Sequence, residues 1–168
     1  MIPNVFYLEL IRKLQEAKVR FLVMGNLALM LYGVPQTSEN IDLLLYLEKE
    51  NIRSFLKVMK NLGFTVVVPG PPSPFADAGE RARWWNRKMW EVIFKRENRP
   101  PVTISGFLHA PDPFEAAYEK RKIIYALDGS LEIPLPCEAD LIAIKIHSGT
   151  TQDFKDVEAL QKKMRERE

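Results

Sequence analysis

The chain has 168 residues, 46% of them hydrophobic and 27% charged, with a formal net charge of +2. That length fits one domain with a sizeable core, and so weak a positive balance does not by itself call for nucleic acid. One cysteine excludes an internal disulfide framework and a cysteine-based zinc cluster and suits a reducing cytoplasm; no apolar run reaches spanning length, and Met1-Ile2-Pro3-Asn4 opens no signal peptide.

In chain order, Val5, Leu8, Ile11, Leu14 and Ala17 recur at helical spacing and predict a helix over 4–18. Residues 20–24 are apolar and partly β-branched, as in a buried strand. Gly25 can turn freely, Asn26 tolerates tight geometry or caps the next helix, and that short helix, over 27–32, is closed by Gly33 and Pro35. A second strand over 40–47 directs Asn40, Asp42, Leu44 and Tyr46 to one side and Ile41, Leu43, Leu45 and Leu47 to the other. The helix over 48–62 carries Ile52, Phe55, Leu56 and Met59 on one face and ends at Gly63. The nearly all-apolar run 64–68 predicts a strand buried on both faces.

Four prolines within 69–74 exclude helix and central strand, so 69–82 reads as a surface loop with a turn of helix over 75–83. Strands follow over 89–95 and 102–108, then a short helix to 120 with Pro113 in its first turn. A hairpin of 122–127 and 131–135 turns around Asp128-Gly129-Ser130. Glu138 and Asp140 favour the start of a helix that ends at Gly149, and Thr150 or Thr151 caps a last helix to 166. The elements predict an α/β (α+β) fold, a mixed β-sheet flanked by helices. Residues 1–136 form the main unit, and C-terminal helices over 137–168 pack on the same domain.

This layout sets backbone N–H groups at a helix start beside a polar pair on the next strand. The first favours phosphate, at Gly25 and Asn26. The second, Asn40 and Asp42, is a candidate for holding a divalent cation beside the phosphates. The alternative for Asp42 is a polar residue at a sheet edge, since a metal site needs converging ligands.

The stretch Val23 to Leu45 resembles the nucleotidyltransferase superfamily, the DNA polymerase beta-like fold. Its nearest likeness is to the AbiEii/AbiGii toxin-like branch, whose pattern is Gly-Gly-x-Ala-x-x-x-x-Gly followed by Arg-x-Thr-x-Asp-x-Asp-Leu. Gly25, Ala28, Gly33, Asp42 and Leu43 match it. Asn26 replaces the second glycine, Gln36 the arginine, Ser38 the threonine and Asn40 the first aspartate. Residues 140–145 and 152–157 resemble a later block of the same family, Asp-Leu-Ile-Ala-x-Lys followed by Asp-x-x-Asp-Val, with Thr150 at the place of the usual arginine. The resemblance implies a nucleotidyltransferase-like fold with C-terminal helices. It also implies transfer of a nucleoside monophosphate from an NTP, with Mg²⁺, to RNA or protein. Asp42, Asn40 and Thr103 stand at the three carboxylate positions, of which only Asp42 is an acid. Gly25, Asn26, Ser38, Lys145 and Asp153 would line the nucleotide. The implied partners are the nucleotide and RNA or a cognate protein, as in a toxin–antitoxin-type pair, with no membrane. A catalytically degenerate binding module is the rival reading.

Lys145 on an apolar helix is either a snorkelling side chain or a contact to phosphate, and Asp153 either its partner or an N-cap residue. The segment 80–90 interleaves Arg81, Arg83, Arg87 and Lys88 with Trp84, Trp85 and Trp90. That composition fits a nucleic-acid contact or a core edge whose cations stay wet. His109 and His147 have no companions at metal-ligand spacing, and Cys137 has no neighbour that would make it a nucleophile.

Overall fold

The computed structural model of the chain describes residues 5–38, 40–67, 77–86, 92–105 and 114–168. The first helix, α1, spans Val5–Glu16. Five strands form one sheet: β1 (Phe21–Met24), β2 (Ile41–Leu45), β3 (Thr65–Val67), β4 (Val92–Lys95) and β5 (Val102–Ser105), in the order β1-β2-β5-β4-β3. Only β2 and β5 run parallel; the other neighbours are antiparallel. The register sets Met24, Asp42, Thr103, Ile93 and Val67 in one row across the sheet. Directly opposed residues share a face, so this row lies on one side of the sheet.

Helix α2 (Gly25–Leu31) follows β1 directly, and α3 (Lys49–Asn61) follows β2. Leu43 and its neighbour Leu44 are both fully buried, which shows that the sheet centre is covered on both faces. Phe55 of α3 meets Phe94 of β4 edge to face, with ring centroids 5.3 Å apart. Helix α4 (Ala78–Asn86) lies between β3 and β4 in the chain, and α5 (Phe114–Glu119) follows β5. A separate hairpin of β6 (Lys122–Ala126) and β7 (Leu131–Leu135) leads to α6 (Glu138–Ser148) and α7 (Thr151–Glu166). Leu141 of α6 and Leu160 of α7 are fully buried in the same core as the sheet.

Several local expectations are corrected. Strand β3 is not buried on both faces: Thr65 is exposed and Val67 is 49% exposed, whereas β1, at the opposite edge of the sheet, is buried along its length, so apolar content alone does not report a strand's surroundings. Helix α4 is longer than one turn and starts later. Asp77 Oδ1 accepts the Glu80 N–H at 2.9 Å, and that bond, chiefly, holds the Asp77 carboxyl below its ordinary value. The proline-rich run 69–74 lies outside the described residues. Helix α2 begins at Gly25, with Met24 as an N-cap that offers no side-chain bond. Asn26 sits within that helix, and its amide donates to the Thr37 carbonyl at 2.9 Å. The hairpin turns through Leu127, Asp128 and Gly129, all at positive φ, so the turn begins one residue earlier than expected.

One buried polar residue ties α3 to the sheet. The Asn51 side chain accepts the Arg20 N–H at 2.8 Å and donates to the carbonyls of Arg20 and Tyr46 at 3.0 and 2.8 Å. Asn51→Ala leaves all three backbone groups without these partners and should lower the unfolding free energy by about 2–3 kcal/mol in urea titration. A loss under about 0.5 kcal/mol would show that water replaces the amide there.

Candidate active site

Gly25 has φ +62°, and a Cβ built on it would lie 2.0 Å from Asp42 Oδ2. The first turn of α2 is thus held against the Asp42 carboxylate, at a backbone conformation that favours glycine. On the other side, the Asn40 amide donates to Asp42 Oδ1 at 2.8 Å and reaches Thr103 Oγ1 at 3.4 Å. Thr103 is buried and lies opposite Asp42 in the parallel register. The three positions of the resemblance therefore converge, joined by hydrogen bonds through one amide. Ser38 faces them differently: its hydroxyl donates to the Asn40 carbonyl at 2.5 Å, and its own carbonyl accepts from the Tyr7 hydroxyl at 3.2 Å. Ser38 and Asn26 both hold the loop between α2 and β2.

A small cleft of about 150 Å³ opens beside Gly25 and Asp42, closed on its far side by Ile144, Lys145, Ser148 and Asp153. Lys145 is buried, and its ammonium is paired 2.9 Å from Asp156 Oδ2 and 3.5 Å from Asp153 Oδ1. Asp156 is 3% exposed and also accepts the side-chain amides of Gln36 and Gln152 at 3.0 and 2.9 Å. Lys145 is therefore not a snorkelling side chain but the centre of a buried network linking α6, α7 and the α2–β2 loop. Asp153 takes both roles weighed for it. It completes a capping box with Thr150 and faces Lys145. Burial works against its charge, yet the Thr150 hydroxyl and N–H and the Lys145 ammonium outweigh it and hold the carboxyl below its ordinary value.

Sequence reasoning assigned no role to Asp156 or Gln36. The three-residue step from Asp153 to Asp156 places both on one helix face, a signal that was legible. Nothing local marked Gln36 as their partner.

The charges decide what this cleft accepts. The cleft's lining sets the acids Asp42 and Asp153 against the one cation of Lys145, so bare phosphate is disfavoured there. Among the described residues no group of three or more His, Cys, Asp or Glu side chains is placed to hold an ion. The donors present at Asp42 are one carboxylate, one amide and one hydroxyl. The amide turns its N–H group, not its oxygen, to the carboxylate, so the set offers Asp42 alone as a charged ligand for Mg²⁺ and does not fit a two-ion centre built on three acids.

The basic segment lies elsewhere. Arg83 pairs with Glu80, while Arg81 reaches the Leu47 carbonyl at 3.4 Å and lines a groove of about 610 Å³ with Lys49 and Arg53. Arg87 and Lys88, with His109, lie outside the described residues. His147 is exposed near the end of α6, and Cys137 stands at the N-cap of that helix as a half-buried free thiol. No described helix is long and apolar enough to cross a membrane.

No known protein family matches the chain, and no curated protein matches it. Solved structures do. The chain is similar to the lincosamide antibiotic adenylyltransferase LnuA in its lincomycin-bound form, at 15% identity and TM-score 0.57, over 94% of each chain. It is similar to an antigenic nucleotidyltransferase-like protein from Paracoccidioides brasiliensis at 14% identity and TM-score 0.57, over 93% of this chain and 73% of that one. The antibiotic-resistance factor ANT(2'')-Ia matches at 10% identity and TM-score 0.56, over 96% of this chain and 85% of that one. At such identities the likeness shows the fold: a mixed α/β domain of the nucleotidyltransferase kind. It does not reach down to the AbiEii/AbiGii branch.

Proposed function

We propose that the cleft between Gly25 and Lys145 binds a nucleoside triphosphate together with Mg²⁺, and that nucleotidyl transfer from it is weak or lost. The observation that carries this reading is the 2.8 Å hydrogen bond from the Asn40 amide to Asp42. Where two acids would repel one another and call for cations, an amide and one carboxylate satisfy each other. Thr103 lacks the basicity to take a proton from an acceptor hydroxyl at neutral pH. Mg²⁺, when bound, would supply charge neutralisation between Asp42 and the phosphates. The excess of acids in the cleft supports a strict need for the cation in binding. The resemblance points to RNA or protein as acceptor; the name of LnuA adds a small antibiotic-like molecule to that set.

Calorimetry should detect NTP binding with Mg²⁺ and none with EDTA, and label transfer to tRNA, to lincomycin or to the chain itself should be near background. Asn40→Asp with Thr103→Asp should raise Mg²⁺ affinity by more than roughly tenfold, and either change alone should do less, because ligands act as a unit. No NTP binding at millimolar ligand would end the proposal. Robust transfer by the natural chain, lost on Asp42→Ala, would show that other acids complete the centre.

A second reading, a binding module for RNA or a cognate protein without nucleotide, draws on the groove of Lys49, Arg53 and Arg81. It predicts steep salt dependence of RNA binding and loss on charge reversal at Arg81.

A further inference from the structure

The sheet's edge strand β3 adjoins a feature that the cleft does not use. Beneath it runs a groove of about 650 Å³ between α3 and the sheet, floored by Leu56, Met59, Phe64, Val66 and Phe94. Lys57 and Lys60 stand on its rim, one helical turn apart and both exposed. At the start of β3, Thr65 is opposite Lys95, and Arg96 follows against Gly63. Among the described residues none of these four cations has an ion pair, and no strand pairs with the outer side of β3. Glu97 is the one acid in the same turn.

We infer that this edge is a docking site for an extended, acidic segment of a partner protein, which adds a strand beside β3 and sets apolar side chains into the groove. Three independent properties agree on that occupant. An open strand edge offers backbone donors and acceptors at strand spacing, which a peptide matches and a nucleic acid does not. Alternate residues of such a strand point the same way, so apolar anchors at every second position can reach the groove beside Val66. The rim and the Thr65 end of the edge are basic, so Asp or Glu at the intervening and flanking positions are drawn in and basic segments repelled. The site is remote in register from the cleft, because β5 and β4 stand between β2 and β3.

The test uses the full chain and a fluorescent octapeptide that alternates Asp or Glu with Val or Leu, followed by anisotropy at low salt. Two further peptides carry N-methyl groups on alternate residues, in the two possible phases, and a charge-matched oligonucleotide is the fourth probe. The parent peptide should bind, and one N-methylated phase should lose at least roughly tenfold affinity while the other keeps it, because only one edge of an added strand pairs. Lys57→Glu with Lys60→Glu, both on the solvent side of α3, should also weaken binding by roughly tenfold or more, with unchanged circular dichroism. NTP binding at Asp42 should be unaffected in that variant, which separates this proposal from the cleft. No peptide binding at millimolar concentration would overturn the inference. Equal binding of both N-methylated phases, or tighter binding of the oligonucleotide, would overturn it in favour of plain charge attraction.

Discussion

Gly25→Ala should abolish nucleotide binding and lower the unfolding free energy by about 2–4 kcal/mol. Two costs add. Backbone at φ +62° costs a residue with a Cβ about 1–2 kcal/mol relative to glycine. The new methyl also falls 2.0 Å from Asp42 Oδ2, 2.9 Å from its Cγ and 3.0 Å from its Cβ, so the carboxylate must swing away from the position in which Asn40 holds it. Displacing that carboxylate removes the one acid on the sheet side of the cleft. Asp42→Ala in the same chain removes two of the three close contacts. The double variant should therefore recover about 1 kcal/mol or more of stability over Gly25→Ala alone, while binding stays lost. Urea denaturation and calorimetry on the three variants give both readouts. Binding that survives in Gly25→Ala would place the nucleotide elsewhere.

Lys145→Met should destabilise the chain by about 3–5 kcal/mol at neutral pH, the largest effect expected of any single substitution here. The methionine keeps the length of the side chain and deletes the charge, leaving Asp156 buried with only the two glutamine amides and Asp153 with its cap. The cost should shrink in acid. Asp153 titrates below its ordinary value in the folded chain, so its contribution is present above the unfolded value of 3.8 and is lost as pH falls through the lower folded value. Without Lys145, part of what holds that carboxyl down is gone. The gap between variant and natural chain should thus hold from pH 7 down to 3.8 and narrow as pH falls below it, through the lower folded value. A gap that stays constant through that fall would mean that packing, not charge, is what Lys145 provides. Lys145→Arg should be intermediate, because the planar guanidinium needs more room than the ammonium fills.

These two residues also show how far local pattern reaches. A glycine after an apolar strand, followed by an acid on the next strand, was enough to pair Gly25 with Asp42, since β1, α2 and β2 are consecutive and short connections leave few arrangements. The alternation of β2 put Asn40 and Asp42 on one face for the same local reason. The convergence of Thr103 follows from the parallel pairing of β2 with β5, which crosses sixty-odd residues, and came from the family resemblance and not from periodicity.

The helices, the hairpin and most strands were determined by the sequence alone, because hydrophobic period, glycine stops and capping residues act within a few residues of one another. So was the chemistry offered at each position, including the amide at Asn40 where the resemblance expects an acid. Tertiary structure alone decided which strands became the edges and which of them was covered. β3 is as apolar as a central strand, yet Val67 is exposed, while β1 at the opposite edge is buried. It also decided the fate of Lys145. A lone lysine on an apolar helix reads the same whether it meets phosphate, solvent or acids, and it was the packing of α6 on α7 that brought Asp156 within 2.9 Å. Long-range electrostatics depends on where the chain returns, and no local pattern carries that distance.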